Sequence, residues 1–258
     1  QPVMLVAAVA AYRVWLAEGG APPSFVAGHS LGEYSALVAS EVLSLTQAVP
    51  LVRLRAQAMQ DSVAVGAGAM AAVLGLEASQ VVAICAQAQA EFAADSGEVV
   101  QAANFNDPGQ TVISGTQLAV DKACELLKAA GAKRTLPLPV SAPFHCELMR
   151  PAAERLREHL NQVQLQPPHI PVINNIDVAQ ETEVSRIKDA LYRQAFGPVR
   201  WVQTIERMQQ LGVTHVVECG PGKVLAGMVK RISPLLHAQA LYDPQTLNET
   251  KAFLTQQP

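Results

Sequence analysis

A serine lies between two glycines in the segment Gly28-His29-Ser30-Leu31-Gly32. The spacing of apolar residues before this segment differs from the spacing after it. Residues 25–27 form a short apolar run typical of a buried strand, and the residues after Gly32 have apolar positions at helical spacing. A strand that turns at once into a helix holds its serine in a strained, exposed conformation, and flanking glycines remove side chains that would collide there. The pattern predicts a nucleophilic serine at a helix N-terminus.

The same turn places main-chain N–H groups of the first helical turn beside the Ser30 hydroxyl. Such groups can stabilise the oxyanion that forms when the serine attacks a carbonyl carbon. The alternative is a tight structural turn in which the serine only caps the helix.

Ser30 alone is a poor nucleophile, so it needs a base within hydrogen-bond reach, and the chain has six histidines. In a turn of this kind the side chain of His29 points away from the serine hydroxyl, so we assign His29 to support of the substrate site. His145 follows a predicted strand over 133–140 and begins a predicted helix. From spacing alone, a capping or core histidine is the better interpretation of His145.

Two segments carry a resemblance to a known family. Residues Gly28 to Leu37, GHSLGEYSAL, resemble the active-site signature of malonyl-CoA:acyl carrier protein transacylases, which acyltransferase domains of polyketide and fatty acid synthases share. Residues Pro139 to Met149, PVSAPFHCELM, resemble the segment that carries the catalytic histidine of that family. The resemblance implies that Ser30 is the nucleophile, that His145 is its base and that the N–H of Leu31 stabilises the oxyanion.

The resemblance also assigns an orienting group and a substrate cation. The family orients its histidine with a main-chain carbonyl, and the matching segment 193–201 gives that role here to Gln194. Arg55 matches the arginine that pairs with the free carboxylate of a malonyl group. A guanidinium suits that role because it is planar, permanently charged and able to bind a carboxylate with two hydrogen bonds. The alternative for Arg55 is an ordinary solvated helix arginine.

Further residues bear on substrate choice. Leu31 and Phe144 resemble the malonyl-selecting members of the family, and a bulky Phe144 would crowd a 2-methyl branch. Discrimination of one methylene is worth only about 1–3 kcal/mol, so we expect a preference and not an absolute filter. Asn104 and Asn106 lie in another segment that resembles the family, and we expect them to face the substrate. The alternatives are that Leu31 and Phe144 only pack the loop and that the turn over 106–109 is structural.

The order of predicted elements indicates an α/β protein with two parts. Residues 68–137 read β-α-β-β-α-β, the split unit of ferredoxin-like domains. We predict that this small ferredoxin-like subdomain is inserted into a large α/β-hydrolase-like domain with a parallel central sheet, formed by residues 1–67 and 138–258. After residue 232 the pattern is amphipathic at best.

Composition excludes several other classes. The net charge is −3 and no basic run occurs, so nucleic acid is not an expected partner, and the longest apolar run, 3–12, is too short to span a membrane. The four cysteines include no Cys-x-x-Cys pair, which favours reduced thiols in a cytoplasmic protein without a metal site. The resemblance implies malonyl-CoA as substrate, acyl carrier protein as partner and no cofactor, and we expect a monomer.

The family normally begins with a strand and a Gly-Gln-Gly loop whose glutamine donates a second hydrogen bond to the oxyanion. No such segment precedes Gln1, and we expect the working enzyme to contain one. Two other functions stay open: a serine hydrolase or thioesterase that uses the same two residues, and a non-catalytic docking module of a synthase. The sequence does not decide between fatty acid and polyketide synthesis.

Overall fold

A computed structural model describes residues 1–255 of the chain. The helices are α1 (Pro2–Ala17), α2 (Gly32–Ala39), α3 (Leu45–Asp61), α4 (Ala78–Ala90), α5 (Gln117–Ala129), α6 (Arg150–Gln162), α7 (Val184–Phe196), α8 (Trp201–Gln210), α9 (Val224–Ile232) and α10 (Pro244–Thr255), with a 3₁₀ turn over Glu147–Met149. The strands are β1 (Val26–Ala27), β2 (Gly68–Leu74), β3 (Val100–Asp107), β4 (Gln110–Thr116), β5 (Arg134–Pro137), β6 (Val172–Ile173), β7 (His215–Cys219) and β8 (His237–Leu241).

The chain divides into two compact units. The first comprises residues 1–53, 163–186 and the described residues from 203 onward, and the second comprises 54–162 and 187–202. The predicted large domain extends to residue 258, and its last three residues lie outside the described part of the chain.

The first unit contains two pairs of parallel strands. β1 pairs with β6, with Val26 opposite Val172, and β7 pairs with β8, with His215 opposite His237. The predicted parallel pairing is therefore present, but within residues 1–255 the strands form two separate two-stranded sheets instead of one central sheet. The reason is that no described strand lies hydrogen-bonded between the two pairs.

The second unit contains a four-stranded antiparallel sheet in the order β3-β4-β2-β5. Its element order along the chain is the predicted β-α-β-β-α-β, from Gly68 to Pro137. Because side chains alternate along a strand, β2 directs Ala71 and Val73 into the core with α4 and α5. On the opposite face, Met70 and Ala72 pack with Phe144, which directly precedes His145.

The secondary structure differs from the sequence-based prediction in two places. The strand predicted over 133–140 ends at Pro137, and Pro139 then supplies no N–H for a ladder. The segment after residue 232, where the sequence pattern defined no element, contains β8 and α10. Both elements depend on distant contacts, since Leu241 and Leu247 pack against Trp15 of α1. Within residues 1–255, no helix combines the length and apolar character that crossing a membrane requires.

Candidate active site

Ser30 lies in the turn between β1 and α2, as the sequence predicts, and adopts a left-handed backbone conformation with φ 51°. A Cβ added to Gly28 would lie 1.9 Å from the main-chain carbon of Gly32, so only glycine fits there. A Cβ added to Gly32 would meet nothing within 4 Å. Steric necessity therefore explains the first glycine of the motif and not the second, which corrects the sequence-based interpretation.

Asn175 holds the serine turn from a distant part of the chain. Its Oδ1 accepts a hydrogen bond from the N–H of Ser30 at 2.7 Å, and its Nδ2 donates to the carbonyl of Gly28 at 2.8 Å. Its own main-chain N–H donates to Oε2 of the buried Glu33 at 2.9 Å. Because Asn175 is fully buried, water does not readily replace the hydrogen bonds of its side chain, and these bonds hold the turn in place.

Sequence reasoning missed both Asn175 and Glu33. The available signal was the pair Asn174-Asn175 directly after the apolar strand β6. Since β6 runs parallel to β1, the carboxyl ends of both strands lie at one edge, where Ser30 also follows its strand. Two amides at that edge are candidates for contact with the serine turn.

The main-chain N–H groups of the turn have different roles. The N–H of Ser30 is engaged by Asn175, and the carbonyl of His29 accepts from the N–H of Gly32 at 2.8 Å. For the N–H of Leu31, the structure records no acceptor among residues 1–255. Leu31 is the residue that precedes α2, so its N–H lies at the positive end of a helix, as an oxyanion donor should.

His145 is buried in the second unit and has a left-handed backbone conformation, with φ 63°. Its Nδ1 lies 2.9 Å from the carbonyl oxygen of Gln194 and 3.2 Å from that of Gly197. A carbonyl can only accept a hydrogen bond, so Nδ1 carries the proton and Nε2 keeps the lone pair of a base.

Gln194 and Gly197 offer these carbonyls because α7 ends at Phe196. The last carbonyls of a helix have no intrahelical partner, so they can accept from a side chain. The C-terminal end of a helix also carries partial negative charge, which favours an imidazolium ion. His145 is therefore oriented in the way that an acidic residue would orient it, but without a full charge.

The loop around His145 is fixed by several further contacts. The N–H of Glu147 donates to Oε1 of Gln101 at 2.8 Å, and the Cys146 thiol donates to the carbonyl of Pro143 at 3.2 Å. Burial raises the pKa of the Cys146 thiol, so this group stays protonated. Cys146 is for that reason not a competing nucleophile beside His145.

Arg55 lies on α3 and is only 2% exposed, which excludes the solvated helix arginine that the sequence left open. Arg53, two residues earlier, is exposed. The Nη2 of Arg55 donates to the side-chain Oε1 of Gln194 at 3.1 Å. Gln194 thus contacts Arg55 with its side chain and His145 with its main chain.

The other predicted substrate residues lie in the second unit. Phe144 is partly buried against Met70 and Ala72. Asn104 and Asn106 lie on β3 and are each 7% exposed. β3 also contacts the segment that follows α7. The N–H of Phe105 on β3 donates to the carbonyl of Val199 in that segment at 2.9 Å.

The predicted site residues therefore divide between the units. Ser30, Leu31 and His29 belong to the first unit, and the others belong to the second. In the second unit the structure brings Arg55, Gln194 and His145 together. Within residues 1–255, no cluster of three or more histidine, cysteine or acidic side chains has the arrangement of a metal site.

Comparison with known proteins gives a consistent result. The family described as acyl transferase domain matches residues 1–235. The malonyl CoA-acyl carrier protein transacylase of Escherichia coli K12 is 49% identical over 247 residues, which is 96% of this chain and 78% of that protein. The corresponding protein of Bacillus subtilis is 45% identical over 96% of this chain and 76% of its own length.

Solved structures of malonyl-transferring enzymes are also similar to this chain. The acyl-carrier-protein S-malonyltransferase of Burkholderia pseudomallei superposes with a TM-score of 0.92 at 56% identity, over 96% of this chain and 79% of that chain. A malonyl-transacylase solved in complex with a type II polyketide synthase acyl-carrier protein superposes with a TM-score of 0.92 at 46% identity, over 96% of this chain and 78% of that one.

Proposed function

The chain belongs to the acyl transferase domain family and is an acyltransferase, and from this premise we propose that it transfers malonyl groups. The donor is malonyl-CoA and the acceptor is the phosphopantetheine thiol of acyl carrier protein, as the names of the relatives suggest. The observation that carries the proposal is the contact series Arg55–Gln194–His145. It joins a buried cation suited to a carboxylate and a histidine suited to proton transfer.

In the first half-reaction the Ser30 oxygen attacks the thioester carbonyl carbon, and Nε2 of His145 takes the hydroxyl proton. The carbon–sulfur bond then breaks, and the coenzyme A sulfur leaves with that proton. A malonyl-serine ester remains. The proposal requires His145 to reach the Ser30 hydroxyl in the working enzyme.

Two groups stabilise this step. The N–H of Leu31 donates to the oxyanion, and a donor of this kind contributes about 10²–10³ in rate. The guanidinium of Arg55 binds the free malonyl carboxylate, which has lost water in a buried site and therefore interacts more strongly with a charge.

In the second half-reaction the phosphopantetheine thiol attacks the ester carbon. His145 accepts the thiol proton and returns it to the Ser30 oxygen as the ester bond breaks. No metal or redox cofactor is needed, because the reaction exchanges one acyl bond for another without net oxidation. Coenzyme A enters as part of the substrate.

The proposal also includes roles for the remaining predicted substrate residues and for the two parts of the fold. We assign Phe144 to a preference against a 2-methyl branch, Asn104 and Asn106 to contact with the substrate, and His29 to support of the site. The strand order β3-β4-β2-β5 supports a ferredoxin-like subdomain over 68–137. The serine turn and parallel strands support an α/β-hydrolase-like large domain. The four free cysteines support a cytoplasmic enzyme.

Two other functions predict different behaviour. A serine hydrolase would use Ser30 and His145 with water as acceptor, but it has no need of a buried arginine bound to the residue that orients its base. A docking module would need no nucleophile, and it leaves the left-handed conformation of Ser30 without a purpose, since such strain costs about 1–3 kcal/mol.

Steady-state kinetics with malonyl-CoA and holo acyl carrier protein tests the proposal. We expect parallel double-reciprocal plots, because coenzyme A leaves before the second substrate reacts. Apo carrier protein, which lacks the thiol, is the matched control and should accept no malonyl group. Release of malonate at the same rate with and without holo carrier protein would indicate a hydrolase, and absence of both reactions would indicate a docking module.

A further inference from the structure

We propose that the side chain of Gln194 is a positioning residue that sets the selectivity of the enzyme for acyl groups with a free carboxylate. Its Oε1 orients the guanidinium of Arg55, while its main-chain carbonyl orients His145. This inference rests on the proposed function, because it gives Arg55 the carboxylate of the substrate as its ligand.

Burial gives this contact its importance. Gln194 is fully buried and Arg55 is 2% exposed, so water does not readily replace a lost hydrogen bond between them. A hydrogen bond to a charged group is stronger than one between neutral groups, and when one buried partner is lost the other has neither water nor protein to bind. The 3.1 Å contact therefore restricts the direction of the guanidinium.

The chemical identity of residue 194 also matters. An amide oxygen can orient a guanidinium while leaving its positive charge available to the substrate. A glutamate at the same position would form an ion pair with Arg55 and compete with the malonyl carboxylate. Glutamine thus provides orientation without neutralisation.

The position of Gln194 in the helix ties the two contacts together. Gln194 lies in the last turn of α7, and Ile187, Leu191 and Ala195 of that helix are buried. Arg150 lies over the ring of Phe196, with 4.1 Å between the guanidinium carbon and the ring centroid. Gln194 is therefore held at a fixed helix end, from which it orients the side chains of both Arg55 and His145.

The test compares acylation of Ser30 by malonyl-CoA and by acetyl-CoA in the parent, Gln194→Met and Gln194→Glu. Methionine keeps the volume and the main-chain carbonyl but removes the amide acceptor, and glutamate keeps the shape but adds a charge. We expect the malonyl-to-acetyl ratio of kcat/KM to fall about tenfold in Gln194→Met and further in Gln194→Glu. The loss should lie in KM for malonyl-CoA, because Arg55 binds the carboxylate before and during the reaction.

Lys188→Gln, a partly exposed position on the same helix, is the matched control and should leave the ratio unchanged. Equal losses for both substrates in the two Gln194 variants would overturn the inference, because general disorder of the site would explain them. Arg55→Ala in the same assay separates the two proposals. If Arg55→Ala lowers the ratio and the Gln194 variants do not, only this inference fails; if Arg55→Ala leaves the ratio unchanged, the assignment of Arg55 fails.

Discussion

The side-chain oxygen of Asn175 accepts a hydrogen bond of 2.7 Å from the main-chain N–H of Ser30. The two residues are 145 positions apart in the chain. This bond engages the N–H of Ser30 and helps to hold that residue in its left-handed conformation, which is costly for a residue other than glycine. The serine turn is therefore built by two strand ends, one that carries the serine and one that holds it.

Removal of the Asn175 amide should weaken both stability and catalysis. Asn175→Ala removes the acceptor of the Ser30 N–H and the donor to the buried carbonyl of Gly28, and a buried group left unsatisfied costs about 1–3 kcal/mol. We expect a lower thermal midpoint and a decrease of more than tenfold in acylation of Ser30. Calorimetry and single-turnover mass spectrometry measure the two effects.

Asn248→Ala is the control for this substitution, since Asn248 is an exposed asparagine on α10. It should match the parent in both measurements. Unchanged acylation by Asn175→Ala would show that the serine turn holds its conformation without this clamp.

The two glycines of the motif should tolerate alanine very differently. Gly28→Ala places a Cβ 1.9 Å from the main-chain carbon of Gly32, so the backbone must move, and overpacking of this kind costs about 1–3 kcal/mol or more. Gly32→Ala meets nothing within 4 Å and replaces glycine at the first position of α2, where alanine is the better helix former.

Denaturant unfolding of the two variants checks this expectation. Gly28→Ala should unfold at a lower denaturant concentration than the parent, and Gly32→Ala at an equal or higher one. Similar destabilisation by both substitutions would contradict the steric account of the turn.

Cys85 should make the free energy of unfolding depend on pH in the alkaline range. Burial raises the pKa of its thiol from 9.0 to about 12 in the folded chain. Between these values the unfolded chain loses a proton that the folded chain keeps, so the stabilisation present below pH 9 declines as pH rises. The expected slope from this one group is at most about 1.4 kcal/mol per pH unit.

Unfolding by urea at several pH values between 8 and 11 measures this slope. The parent should lose stability more steeply than Cys85→Ala, because alanine has no proton to lose. The difference between the two proteins isolates Cys85 from lysine and tyrosine side chains that titrate in the same range. Parallel curves would contradict a buried, protonated thiol at this position.

The features that the sequence predicted well are specified by residues close to one another in the chain. The strand, glycine turn and helix around Ser30 lie within a few residues of one another, and the β-α-β-β-α-β order follows from periodicity and turn residues. The hydrogen bond from His145 to the Gln194 carbonyl was expected only from the family resemblance, because the two residues are 49 positions apart.

The features that the sequence did not reveal depend on distant contacts. Asn175 reaches Gly28 across 147 positions, and the side chain of Gln194 reaches Arg55 across 139. No local pattern specifies such pairs. Similarly, β8 exists because it pairs with β7, and a weakly amphipathic segment acquires a defined structure from its partner.

The most direct test of the proposed function is the intact mass of the protein after brief exposure to malonyl-CoA. The parent should gain one malonyl group, and Ser30→Ala should gain none. Arg55→Ala should form the malonyl adduct more slowly, with a smaller effect on the acetyl adduct from acetyl-CoA. A malonyl adduct that persists in Ser30→Ala, or no adduct in the parent, would contradict the assignment of Ser30 as the acyl-carrying nucleophile.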